Sequence, residues 1–172
     1  LLAAFVTTAA SPAQETLRRG SSNEQLIDKR LREAVSRGHE WLAQHQHPDG
    51  YWVELVGYKL NTSYEALDDR PQAHVGVTSL ALMSFLAGGH LPDRGKYGKE
   101  LSRGLNFVLQ ASQDDGQMQL NGTRMYSHAF ATLFLAEVYG MVERDDVKRV
   151  LQRSVDLIVD SQNAEGGWRY RP

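Results

Sequence analysis

The side chains of this chain best placed to do chemistry are a carboxylate pair, Asp68 and Asp69, and two histidines, His74 and His128. Paired carboxylates divide acid and base roles when their surroundings push their pKa values apart. Arg70 stands beside this pair and favours the ionised form, the opposite of a proton donor. His74 and His128 each precede a threonine by four residues, Thr78 and Thr132, and each opens a segment that reads as a helix. At a helix N-terminus such a side chain either accepts a hydrogen bond from its own turn or, with the positive end of the helix, faces an anion. Tyr64 shares with the aspartates the longest irregular stretch, residues 53–73, and loops of that length on a rigid scaffold often carry function. His74, His128, Tyr64, Asp68 and Asp69 are therefore the candidate cavity or ligand contacts. No cysteine is present, which removes disulfides, thiolate zinc sites, Fe–S clusters and a cysteine nucleophile. A nucleophile elbow, a P-loop, a dinucleotide fingerprint and an HExxH motif are all missing, so catalytic residues stay unknown and neither a cofactor nor a metal site is expected.

The elements that must position these residues are helices. The chain has 172 residues, 41% of them hydrophobic and 23% charged, in the range of a globular domain or part of one. A net charge of −2 lacks the basic footprint of a nucleic-acid binder. Residues 1–13 begin with eight apolar residues in ten and end on Ser11-Pro12-Ala13, the pattern of a signal-peptide remnant, which implies an exported protein, periplasmic or extracellular. The run is too short for a stable membrane span. Residues 14–22, rich in Ser, Arg and Gly, read as a linker, and 23–172 as the folded part.

In that part, segments with charged faces alternate with segments that have almost no charge. Ile27, Leu31, Ala34, Val35, Trp41 and Leu42 line one face of a charged helix ending near 46, followed by the uncharged run 74–87. Residues 96–111 are charged and amphipathic, 127–139 carry only Glu137, and 144–161 are amphipathic again. A helix apolar on all sides must be enclosed. Two layers follow, charged helices outside and uncharged ones inside, in an all-α array of outer/inner hairpins. Asn121-Gly122 reads as a tight hairpin-like link.

The ends of the charged helices repeat: RGHEWLAQHQHPDGYW at 37–52, RGLNFVLQASQDDGQM at 103–118 and RSVDLIVDSQNAEGGW at 153–168. Each has an arginine, a small residue, a bulky apolar pair, a glutamine or its neighbour, an acidic-Gly pair and a closing Trp or Met. The residues are Gln46, Gly50 and Trp52; Gln113 and Gly116; Gln162, Gly166 and Trp168. Glycine permits a left-handed helix end, and a glutamine amide can satisfy the loose backbone groups there. These eight residues are read as structural.

This pattern resembles the QW repeat of the squalene cyclases and the wider terpenoid cyclase and protein prenyltransferase group, over residues 24–172. The resemblance implies an α/α toroid, here a partial one. Cyclases of that group protonate an alkene or epoxide through a DxDD motif, and here Ala66 takes the place of its first aspartate, ahead of Asp68 and Asp69. The prenyltransferase zinc site needs a cysteine, which this chain lacks. The resemblance therefore favours an exported binding or scaffold module for an apolar, glycan or protein ligand. A terpene cyclase/mutase-like isomerase, or a carbohydrate-active α/α-toroid enzyme, with catalytic residues outside this segment is the alternative. The repeat spacing puts the next inner helix beyond Pro172, so the chain is expected to be a fragment, its open side covered by further repeats or a partner subunit.

Overall fold

A computed structural model describes the backbone of residues 12–60 and 63–172 and the side chains of 28–57 and 65–172. The expected signal-peptide remnant, 1–13, lies outside the described residues except for its last two positions. The chain divides into two units, Leu1–Gly38 and His39–Pro172. Helix α1, Pro12–Gln44, supplies the described part of the first unit and the start of the second. It takes in residues 14–22, where composition predicts a linker. Within the first unit Asp28–Arg32 and Lys29–Glu33 pair at the i,i+4 spacing, and Leu31 and Val35 are exposed.

The second unit continues with β1 (Val53–Glu54), β2 (Gly57–Leu60), β3 (Ser63–Ala66), β4 (Gln72–Ala73), α2 (Val75–Ala87), α3 (Gly98–Gln110), α4 (Met125–Tyr139) and α5 (Asp145–Asp160). The described chain is thus all-α apart from two small ribbons, with the outer/inner helix pairing of an α/α toroid. The uncharged α2 and α4, whose one charged residue is Glu137, pack on each other, and the amphipathic α3 and α5 bury one face against them. Leu82 and Phe85 from α2, Leu101, Leu105 and Val108 from α3, Phe134, Leu135 and Val138 from α4 and Val147 from α5 form the core. Gly104 lets α3 approach the Leu82 side chain too closely for any Cβ. Tertiary burial, more than intrinsic propensity, holds helices of 13 to 16 residues.

Residues 53–73, expected to be irregular, form two antiparallel ribbons. Val53 pairs Ala73 and Glu54 pairs Gln72 at the base, while β2 and β3 make a hairpin in which Gly57 faces Ala66. Asn121-Gly122 forms a tight turn closed by the Thr123 N–H on the Leu120 carbonyl, with both residues in the left-handed region at φ 54° and 84°, but among the described residues no strands pair across it as a hairpin would require.

The inner helices are less enclosed than their composition suggests. Leu82 is 0% exposed, but Leu133 is 48% and Tyr126 67% exposed, and Leu80 and Phe130 are open as well. Lack of charge marks a helix that avoids bulk solvent on most faces; one face of α4 nonetheless meets it.

Candidate functional site

The repeated turns set the frame of the site. In the first, the Gln46 amide donates to the carbonyls of Gly50 and Glu100, each at 2.9 Å, and its oxygen accepts from the Arg103 guanidinium at 2.8 Å. Trp52 is 5% exposed, and its indole N–H donates to the Leu42 carbonyl at 3.0 Å. Its backbone N–H donates to Thr78 Oγ1 at 3.0 Å. Gly50, at φ +94°, lies so close to the Arg103 carbonyl that a side chain there would collide with it. The turn therefore joins the end of α1 to the middle of α3.

The second turn makes the same joint with different side chains. A Cβ at Gly116 would stand 2.7 Å from the Arg153 carbonyl oxygen, and Ser154 Oγ donates to the Gly116 carbonyl at 3.2 Å. Ser112 takes the glutamine position, and its Oγ is buried without a partner among the described residues. Gln113, expected to supply the amide, contributes its main chain instead: its N–H donates to Gln117 O and its carbonyl accepts from Gly116. Met118 replaces the aromatic and is fully buried. In the third turn Gln162 Nε2 donates to Gly166 O at 2.9 Å and the Trp168 indole to Ile158 O at 2.7 Å. Trp168 caps its own helix as expected, yet it is 50% exposed.

The two histidines are not equivalent. His74 is the N-cap of α2, its Nδ1 accepting from the Val77 N–H at 3.2 Å, and Arg124 holds the same place before α4. His128 lies inside α4 and is buried; its Nδ1 accepts from the Met118 N–H at 3.0 Å and its Nε2 donates to the Ser154 carbonyl at 3.1 Å. Its structural counterpart is Thr78, which receives the matching N–H from Trp52. The His-xxx-Thr repeat is thus one helical turn out of register with the fold. Burial pushes the pKa of both imidazoles down, with Glu54 partly offsetting it at His74 and the Ser154 carbonyl at His128. With both ring nitrogens engaged, His128 is a strut between the second turn, α4 and α5, and not a cavity contact.

Asp68 accepts from the Arg70 backbone N–H at 2.9 Å and pairs with its side chain at 3.5 Å. That backbone bond, above all, lowers its pKa, so it is a carboxylate at neutral pH. Asp69 is exposed on the same bend. The charge acting on His74 is Glu54, so neither aspartate forms an acid/base pair with it. The Tyr64 side chain lies outside the described residues. Among the described residues no group of acidic residues and histidines could hold a metal ion, and no helix is long and apolar enough to cross a membrane.

What the structure does bring together is apolar. Tyr126, Phe130 and Leu133 occupy one face of α4 at i, i+4 and i+7, and all are exposed. At the head of this stripe a pocket of about 480 Å³ is lined by Tyr126, Ala129, Ile158, Trp168, Arg169 and Tyr170. The rings of Tyr126 and Tyr170 meet edge to face at 5.7 Å, and Tyr170 O accepts the Met125 N–H at 3.2 Å. Sequence reasoning missed Tyr126 and Phe130 because an uncharged helix reads as buried all round. Two signals were available: two aromatics and a leucine share a face, and the single charge of the helix, exposed Glu137, falls on that same face at i+11.

No family model matches the chain. It is similar to a squalene–hopene cyclase of Bradyrhizobium diazoefficiens, 23% identical over 143 aligned positions that cover 78% of this chain and 21% of the relative. The chain spans about a fifth of the length of that protein, and the likeness is that of a terpenoid cyclase-like helical repeat.

Proposed function

We propose that this chain is a squalene cyclase-like repeat module that binds an apolar ligand along the open face of α4, and that it is exported. The observation that carries the binding role is the exposed stripe of Tyr126, Phe130 and Leu133 leading into an aromatic pocket of ligand size. The carboxylate pair supports binding over catalysis: Asp68 is held ionised by Arg70, and Asp69 is exposed. Protonating an alkene needs a buried, neutral carboxylic acid. Export rests on the apolar opening residues of the sequence.

A second reading is favoured by the likeness to a squalene–hopene cyclase. There the chain contributes one part of a cyclase-like isomerase whose acid lies elsewhere.

Titration with a fluorescent prenol tests the binding role. Saturable binding should weaken about tenfold or more in a Phe130→Asp/Leu133→Asp variant, remain in Asp68→Asn, and not be competed by oligosaccharides. Absence of saturable binding, or binding indifferent to the α4 substitutions, contradicts the proposal. Cyclised product from this chain that disappears in Asp68→Asn would replace it with the enzyme reading.

A further inference from the structure

Two histidine rings meet where the end of α1 lies on the end of α2. His39 of α1 is buried and stacked on Phe85 at 4.9 Å, and its Nε2 donates to the Ser84 carbonyl at 2.9 Å. Gly88, which caps the end of α2, lies against this ring: a Cβ there would stand 2.4 Å from His39 Cε1. The His90 ring stands steeply across its neighbours, 5.2 Å from His39, 4.8 Å from Tyr97 and 6.3 Å from Phe85. Its main chain is fixed separately, the N–H donating to the Phe85 carbonyl at 3.0 Å. The imidazole of His90 is therefore a wedge among three rings, able to leave them without breaking that backbone bond.

The charges around the pair leave His90 without a carboxylate of its own. Glu40 of α1 already accepts from Lys96 at 2.7 Å and from the Tyr97 hydroxyl at 3.2 Å. Lys96 stands 4.8 Å from the centroid of the same Tyr97 ring that His90 meets. Helix α2 adds no charged side chain, only the carbonyls of its last turn. On the turn before α3, Asp93 accepts from Ser102 and Arg94 is exposed; within α3, Lys99 is exposed and Glu100 pairs with Arg103. The Ser84 carbonyl, at the negative end of α2, accepts from His39 whether that ring is neutral or charged. A proton on His90 meets only opposition: burial first, then His39, then Lys96 hold its pKa below the ordinary 6.5.

We infer that the His39–His90 contact is a pH-sensitive latch that holds the end of α1, residues 39–44, on the end of α2. With His90 neutral, its ring fills the space beside His39, Phe85 and Tyr97 and the latch is closed. In acid two imidazolium rings would stand 5.2 Å apart with Lys96 close by, so the half-buried His90 ring turns out to water and the end of α1 loosens. The opening is local, because neither histidine belongs to the apolar core that joins α2, α3, α4 and α5. A lowered folded pKa fixes the sign: docking is complete above about pH 6.5 and is lost as pH falls through the value His90 has in the closed latch.

Hydrogen–deuterium exchange of the full chain at about pH 7.5 and about pH 5, corrected for intrinsic rates, separates the latch from global unfolding. Protection of the amides of residues 39–44 should fall about tenfold or more in acid, while that of α3 and α4 falls less. His90→Gln carries no charge at either pH, so its protection at residues 39–44 should be the same at both. His39→Gln can still donate to the Ser84 carbonyl, and by removing a charged neighbour it should raise the pKa of His90 read from its imidazole NMR signal. Unchanged protection of residues 39–44 in the wild-type chain overturns the inference. So does a loss that persists in His90→Gln or spreads equally over α3 and α4, or a His90 signal whose titration His39→Gln leaves in place.

Discussion

The first and third turns share Gln, Gly and Trp, yet one is buried in a joint and the other is open. Gln46 makes three hydrogen bonds, two of them to α3, whereas Gln162 makes one, to its own turn. Trp52 is 5% exposed and Trp168 50%, although both donate their indole N–H to a carbonyl ten residues back. The turn is therefore set locally by glycine and the indole bond, and its contribution to stability comes from what seats upon it. A related contrast runs through the inner helices: α2 leaves Leu80 open, while α4 exposes a whole row, Tyr126, Phe130 and Leu133.

Substitutions in matched pairs sharpen this comparison. The largest difference is expected between Leu82→Asp and Leu133→Asp. An unpaired charge at fully buried Leu82 should exceed the domain's stability and prevent folding. At Leu133 the charge reaches water, and the circular dichroism melt should stay close to that of the parent. Next, Trp52→Ala should cost roughly 3 to 5 kcal/mol in urea unfolding, the range for a buried aromatic. Trp168→Ala leaves no enclosed cavity and should cost about 1 kcal/mol. Equal losses would mean that the third turn is covered. Gln46→Ala strands part of the Arg103 guanidinium and should cost about 1 to 3 kcal/mol, against no more than about 1 for Gln162→Ala.

The smallest effect is one of pH. Burial holds the His128 pKa below its ordinary 6.5, so the unfolded chain takes up the proton first. The stability linked to this group is complete above about pH 6.5 and is lost as pH falls through that value toward the lowered folded one. Urea midpoints should fall on acidification and fall less in His128→Gln; His74 adds in the same direction.

The outer/inner alternation, the three turns and Gly50, Gly116 and Gly166 were legible because charge periodicity and positive φ leave marks on composition. The partners of His74 and His128 were not. Both precede a threonine by four residues, but helix α4 begins three residues before His128 while α2 begins just after His74, and only three-dimensional register separates a cap from a strut. Gln113 misled for a related reason: a turn can be closed by main-chain bonds when Ser112 stands in the glutamine's place. Residues 53–73 hid their ribbons because β1 and β4 are two residues each, too short for alternation to show. The open face of α4 was hidden by its largely apolar composition, although its one charge, exposed Glu137, sits on that face eleven residues after Tyr126.

The central claim, that α4 offers an apolar face able to take a ligand, is tested most directly by thiol labelling, for which the cysteine-free chain gives no background. Leu133→Cys and Leu82→Cys would be treated with a maleimide under native conditions, with and without a saturating prenol. The account predicts rapid labelling at position 133 that the prenol suppresses, and labelling at position 82 only on unfolding. Protection at 133 without ligand, matching that at 82, or labelling that the prenol leaves unchanged, would contradict it.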